Sequence, residues 1–431
     1  MFWDKEFETM DEGALRALQL ERLRWTIGQA DRSPMYRNRF ARDGVPKIKT
    51  MDDVRRLPFT TKQDLRDAFP YGLLAVPLEE VVRLHSSSGT TGNPTVIYHT
   101  KADIDGWGDL MARCLYMSGM RKNDVFQNMM GYGLFTGGLG FHYGAEKLGA
   151  LTIPIGPGNS KRQIWFMQQF KTTVIHILPS YALRLSMFFE EMGLDPRKDL
   201  SLRIAYVGSE PHTEETRRRI EEIWGIKAYN SYGLSEICGP SVAFECPSQT
   251  GMHLWEDRFL MEIVDPKTGD PLPDGEEGEL VLTTLQRAAT PLIRYRTRDL
   301  TRILPGPCPC GRTSRRLDRI KGRSDDMLII NGVNVFPLQV EKALVKIPSL
   351  GSNYVIELRT ENFMDRMHVN VELGRDAFQG TLPELERLQA RVTEELKAEI
   401  GFTPVVKLVE AGSLPVPEGK AIRVVDQRDK Q

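Results

Sequence analysis

Ser86-Ser87-Ser88-Gly89-Thr90-Thr91-Gly92-Asn93-Pro94-Thr95 lies between two strand-like runs, Val81-Val82-Arg83-Leu84 and Val96-Ile97-Tyr98. Glycine lets a backbone approach a ligand closely and aim its N–H groups at oxygen. Five hydroxyls in the six positions from Ser86 to Thr91 add neutral donors. That combination suits phosphate. The spacing G-x-x-x-x-G-K-[ST] is absent, so this is not the nucleotide-hydrolase phosphate loop. Apolar runs on both sides argue against a flexible Ser/Gly linker.

Outward from this loop, short apolar runs alternate with helical stretches. Residues 10–30 place Leu15, Leu18, Leu23 and Ile27 at helical spacing. Strands are expected at 150–155, 173–178, 202–207 and 280–285, with an amphipathic helix over 214–224. The alternation predicts an α/β architecture with a buried, largely parallel sheet. From residue 327 a smaller set follows: strands at 327–330, 354–358, 367–373 and 405–409, helices at 337–346 and 384–400. About a hundred residues suffice for an α+β domain with its own core. Residues 413–431 are polar and read as loop.

The chain has 431 residues, long for one core. Its 57 basic and 58 acidic residues nearly cancel, so no global field attracts nucleic acid or an anionic membrane. No apolar run is long enough to span a bilayer, and the N-terminus lacks an apolar signal segment. A cytoplasmic protein is expected. Five cysteines, an odd and sparse count, argue against a disulfide framework.

Ligands of α/β sheets bind beyond the carboxyl ends of strands. Three loops are expected there: Gly208-Ser209-Glu210-Pro211, Asn230-Ser231-Tyr232-Gly233-Leu234-Ser235-Glu236, and the segment ending in Ile293-Arg294-Tyr295-Arg296-Thr297-Arg298-Asp299. They offer an aromatic face, a carboxylate for sugar hydroxyls and a carboxylate for a metal ion.

With these motifs, and with Gly131-Tyr132-Gly133-Leu134-Phe135-Thr136-Gly137-Gly138, Trp255-Glu256-Asp257, Gly322-Arg323-Ser324-Asp325-Asp326, Asn331-Gly332-Val333-Asn334-Val335-Phe336-Pro337 and Glu418-Gly419-Lys420 in the same order, the chain resembles the phenylacetate–CoA ligase branch of the adenylate-forming acyl- and aryl-CoA synthetases. The resemblance runs from about residue 30 to the end. It implies a large N-terminal adenylation domain with mixed and parallel sheets, residues 1–322, and a small mobile α+β domain, residues 326–431, hinged at Asp325. It implies ATP, Mg²⁺ and coenzyme A, an aromatic acid as substrate, and a role in phenylacetate catabolism as a homodimer. Ser86, Ser87, Ser88, Gly89, Thr90, Thr91 and Gly92 would hold the β- and γ-phosphates, with Thr91 catalytic. Glu236 would bind Mg²⁺, a hard donor for a hard cation. Tyr232 would stack on adenine, with Ser209, Glu210, Pro211, Asn230 and Ser231 completing the nucleotide site. Asp299 would take the ribose hydroxyls, with Arg323 near ribose and phosphate. Lys420 would bridge the acid and the α-phosphate. Two positions depart from the pattern: Asn93 and Asn331 stand where a lysine and an arginine are usual.

Tyr132, Phe135, Phe141 and Gly208 are the expected walls of an aryl pocket. Cys246, His253, Cys308 and Cys310 supply three thiols and one imidazole, a complete tetrahedral set for a structural Zn²⁺. The alternative is buried unpaired cysteines and a surface histidine. Cys114 and Cys238 read as small packed residues. Two other functions fit the same motifs: a synthetase that adenylates a deazaflavin coenzyme, and a nucleotide-binding homologue without catalysis.

Overall fold

A computed structural model describes residues 1–45, 47–87, 93–330, 333–361, 364–374, 381–415 and 423–428. The quoted loop joins an antiparallel hairpin of β1 (Val81–Ser86) and β2 (Val96–Thr100). Next come β3 (Val125–Asn128), β4 (Leu151–Ile153), β5 (Val174–Ile177), β6 (Ile204–Gly208), β7 (Lys227–Leu234), β8 (Gly239–Glu245) and β9 (Met252–Leu254). They lie side by side as β4-β3-β5-β6-β7-β8-β9. The sheet is parallel from β4 to β7, then antiparallel through β8, β9 and two short strands, Arg316–Leu317 and Ile303–Leu304. The sheet is thus mixed. The run expected at 280–285 belongs elsewhere, to an antiparallel sheet of β10 (Phe259–Val264), β11 (Gly278–Thr284) and β12 (Tyr295–Thr301), closed by Gly322–Arg323.

Helices cover the parallel half because parallel strands need long crossovers. The helix Glu214–Trp224 shows why such segments fold. Thr213 caps it, its Oγ1 accepting from the Thr216 N–H, and Gly225 ends it in a left-handed conformation with φ 68°. It buries Ile220 and Trp224 against Ala205, Val207 and Ala228 of the sheet cluster. Full burial of such side chains stabilises by roughly 1.5–3 kcal/mol each.

The last hundred residues gather a separate apolar cluster. Val340, Leu344, Ile356, Val369, Val392 and Leu396 pack together without joining the larger core. Its sheet pairs Leu350–Glu361 with Met364–Leu373 antiparallel and Met364–Leu373 with Val405–Val409 parallel. The architecture is therefore α/β, with a large N-terminal domain and a small α+β C-terminal one. No helix among the described residues is long and apolar enough to cross a membrane.

Three expectations need correction. β7 continues through Tyr232 and Gly233 to Leu234 instead of giving way to a loop, because β8 pairs with it there after β6 has ended opposite Ser231. Tyr295–Thr301 is a strand, not a loop end; its alternation of buried and half-buried residues was masked by charged side chains. Val424–Asp426, expected as loop, pairs in parallel with Leu350–Glu361.

Candidate active site

The site grows from the ends of β6 and β7. Gly208 ends β6 opposite Ser231 of β7. A Cβ there would lie 2.5 Å from Ser231 Oγ and 2.8 Å from its carbonyl oxygen, so only glycine lets the strands approach. Ser209 follows with φ 65°, a conformation costly for a residue with a Cβ. Glu210 accepts from the Ser180 N–H at 2.6 Å, at the first turn of the helix Pro179–Glu191. Asn230 and Ser231 are buried in β7, and the Asn230 N–H donates to Glu245.

Tyr232, Asp299 and Arg323 form one linked group. The Tyr232 hydroxyl donates to Asp299 Oδ2 at 2.5 Å. Asp299 pairs in register with Arg323, whose Nη1 lies 3.6 Å from Asp299 Oδ1. Burial pushes the Asp299 carboxyl up to about 6, against the opposing pulls of Tyr232 and Arg323. Burial, then Asp299, raises the Tyr232 phenol further. Arg323 also holds Asp325 with two bonds of 2.9 Å. Glu236 is buried just beyond β7, beside the Tyr295 phenol. A carboxylate of this kind could hold a hard cation. Lys62, absent from the expectations, places its Nζ 3.7 Å from Glu236 Oε1.

The base of the serine/threonine loop is clasped. Ser87 N–H donates to the Thr95 carbonyl, and Thr95 N–H donates to Ser87 Oγ, both at 3.0 Å. The Leu134 carbonyl accepts from Ser86 N–H at 3.2 Å, tying this base to the glycine-rich segment 131–138. Ser88, Gly89, Thr90, Thr91, Gly92 and Lys420 lie outside the described residues, as does Asn331.

Within that segment Tyr132 and Phe135 stand apart from Phe141. Asn128 donates to the Tyr132 hydroxyl at 3.0 Å, and His142 Nδ1 lies 3.3 Å from it. His142 Nε2 in turn meets Glu146 at 3.0 Å. Burial pushes the Tyr132 phenol up to about 12. Phe135 is 38% exposed. Phe141 is a correction: it is fully buried and stacks on His176 at 3.6 Å, among Phe126, Tyr206 and Phe244. Its place on the helix Thr136–Leu148 turns it towards the sheet, so it serves the core.

A second site converges some distance along the chain. The ligand atoms of Cys246, His253, Cys308 and Cys310 all lie within 4.8 Å of one another. β8 and β9 set this up by pairing Phe244 with His253, which puts Cys246 at the strand end. His253 Nδ1 is held by Ser314 Oγ at 3.0 Å, leaving Nε2 directed at Cys310, 3.2 Å away. The Cys310 thiol is held below its ordinary value, first by its bond to the Cys246 thiol and then by His253.

Two family models match the chain: "AMP-binding enzyme" over residues 34–288 and "AMP-binding enzyme C-terminal domain" over residues 332–428. A phenylacetate-coenzyme A ligase of Pseudomonas putida is 48% identical, the match covering 98% of this chain and 96% of that protein. A 2-hydroxyisobutyryl-CoA ligase solved in its postadenylation state superposes with TM-score 0.93 at 29% identity, covering 99% of this chain and 92% of that one. The same ligase in its thioesterification state gives 0.74 at 30% identity, covering 99% and 93%.

Proposed function

The chain belongs to the AMP-binding enzyme family, in its phenylacetate–CoA ligase branch, and from that membership we propose that it joins phenylacetate, or an aromatic acid close to it, to coenzyme A. The observation that carries this is the 48% identity to a phenylacetate-coenzyme A ligase over 98% of the chain. The reaction has two steps. An oxygen of the substrate carboxylate attacks the α-phosphorus of ATP, and the bond to the bridging oxygen breaks, releasing pyrophosphate. The coenzyme A sulfur, having lost its proton, then attacks the acyl carbonyl; the acyl–phosphate bond breaks and AMP leaves.

Chemistry of this kind needs positioning and charge neutralisation more than covalent help. Asp299 accepts from the ribose hydroxyls, held in place by Tyr232 and Arg323. Tyr232 faces adenine from one side, with Ser209, Glu210 and Pro211 on the other and Asn230 and Ser231 behind. The loop Ser86–Gly92 cradles the outer phosphates, Thr91 among them. Lys420 bridges the acid and the α-phosphate, a transient contact suited to a flexible ammonium. Glu236 fits Mg²⁺, which when bound neutralises phosphate charge. Tyr132, Phe135 and Gly208 border the aryl group.

The two steps need different groups around one AMP, which a moving lid supplies. We place the large domain at 1–322 and the lid at 326–431, with Asp325 between them. The lid docks on the helix Glu214–Trp224, where Thr216 Oγ1 donates to Glu341 at 2.8 Å. The closer match to the postadenylation state favours this arrangement for the first half-reaction. We further assign a structural Zn²⁺ to Cys246, His253, Cys308 and Cys310, a closed set with no open position. A cytoplasmic homodimer serving phenylacetate breakdown completes the proposal, checked by light scattering and by growth on phenylacetate.

The deciding experiment measures pyrophosphate release over phenylacetate, benzoate, indoleacetate and a fatty acid, with and without coenzyme A. Phenylacetate should lead, with AMP release dependent on coenzyme A. No release with any aryl acid, or AMP release indifferent to coenzyme A, refutes the proposal.

A further inference from the structure

We infer that Glu341 is a positioning residue for the first half-reaction: its bond to Thr216 latches the lid onto the large domain while the acyl-adenylate forms. The inference rests on the ligase reading and the moving lid proposed above. Thr216 Oγ1 donates to Glu341 Oε1 at 2.8 Å, and the threonine is 2% exposed. The two residues lie 125 positions apart, one in each domain.

Each partner is held by its own domain. Thr216 lies in the first turn of the helix Glu214–Trp224, which follows closely on Gly208-Ser209-Glu210-Pro211, the segment proposed to border adenine. Thr213 caps that helix, and its Oγ1 lies 3.0 Å from Thr216 Oγ1. Glu341 lies in the helix Pro337–Val345, whose Val340, Ala343 and Leu344 are buried in the lid's own apolar cluster. The Tyr354 hydroxyl, also of the lid, faces Glu341 Oε2 at 3.5 Å.

The seam around the bond is loosely filled. A cavity of about 120 Å³ is lined by Ser180, Glu210 and Thr216 of the large domain and by Glu341, Tyr354 and Arg423 of the lid. The apolar clusters of the two domains stay separate. Separate cores leave the orientation of the lid to directional polar contacts.

The bond is also suited to release. Burial raises the Glu341 carboxyl to about 6, with Glu210 adding to the rise, while Thr216, Arg423 and the Thr213 backbone oppose it. Desolvation therefore offsets much of what the hydrogen bond contributes. A contact of small net strength can form for one step and break for the next. The lid orientation matches a relative's postadenylation state more closely than its thioesterification state.

The test compares ATP–pyrophosphate exchange with phenylacetate against thioester formation from added phenylacetyl-adenylate and coenzyme A. The proteins are the full chain, Glu341→Ala, Glu341→Gln, Thr216→Val, and Glu341→Ala combined with Thr216→Val. Glu341→Ala and Thr216→Val should each slow exchange about 10-fold, the scale of one hydrogen bond to a charged group, and keep thioester formation within about twofold. Thioester formation at the parental rate also shows that the variants fold. The double variant should be no slower than either single one, because each loses the same contact. Glu341→Gln keeps an oxygen for Thr216 and should retain exchange within about twofold. Unchanged exchange in Glu341→Ala, parallel loss of both steps, losses that multiply in the double variant, or no recovery with glutamine overturns the inference. If the unaltered protein exchanges pyrophosphate with none of the acids named above, the ligase reading itself fails.

Discussion

Asp299→Asn should stabilise the free protein and weaken its nucleotide site together. Burial raises the Asp299 carboxyl from its ordinary 3.8 to about 6, so the fold disfavours the ionised form. The sign follows directly. The stability associated with the protonated carboxyl is complete below pH 3.8 and is lost as pH rises through about 6. The rise from 3.8 to about 6 corresponds to about 3 kcal/mol above pH 7, with about half of that already lost at pH 5. Asparagine keeps the shape and still accepts from Tyr232, but carries no charge to desolvate. Its cost is the Arg323 contact at 3.6 Å, softened because Arg323 keeps Asp325. The assay is thermal denaturation of both proteins from pH 5 to pH 8 without nucleotide. The variant's midpoint should lie above the parent's, with a gap that widens as pH rises. AMP binding should fall about tenfold or more, because the charged acceptor for the ribose is gone. A variant less stable at pH 8, or a gap that narrows with rising pH, refutes the assignment of a desolvated carboxylate.

Metal analysis of purified protein should find about one zinc per chain, and Cys310→Ser should lose it and melt earlier. Metal-free protein with four titratable thiols and an unchanged midpoint removes the site. Gly233→Ala should destabilise by more than about 3 kcal/mol or fail to fold, because the new Cβ would sit 1.8 Å from the Gly239 carbonyl oxygen of β8. Gly106→Ala, in a helix with nothing within 4 Å, should instead stabilise by about 0.5–1 kcal/mol; urea midpoints compare the two, and equal effects would contradict the packing. Asp325→Pro should spare one half-reaction and cut the other. Pyrophosphate exchange and thioester formation falling in parallel would count against a hinge there.

Much of the secondary structure was legible where local signals suffice. The helix Glu214–Trp224 has a threonine cap and a terminal glycine, and it was expected at its observed bounds. Val405–Val409 was likewise expected where it lies. The misread segments share a cause. Tyr232 to Leu234, and Tyr295 to Asp299, are rich in turn-forming or charged residues, yet β8 pairs with the first and β11 with the second. Val424–Asp426 is too short to carry a pattern of its own. Lys62 had a faint signal, a lysine at the unfavourable end of a capped helix, but nothing local ties it to Glu236.

The order of the motifs, the hydroxyl-rich loop, the absent loop lysine and the four zinc-type ligands belong to the chain alone, because residue type and spacing survive without a fold. Tertiary structure decided the environments. It turned Phe141 into the core, gathered three thiols and an imidazole within 4.8 Å, and brought Asp299 out of water beside Tyr232. Desolvation and close approach depend on which surfaces meet, and that choice is made by packing between segments far apart in the chain.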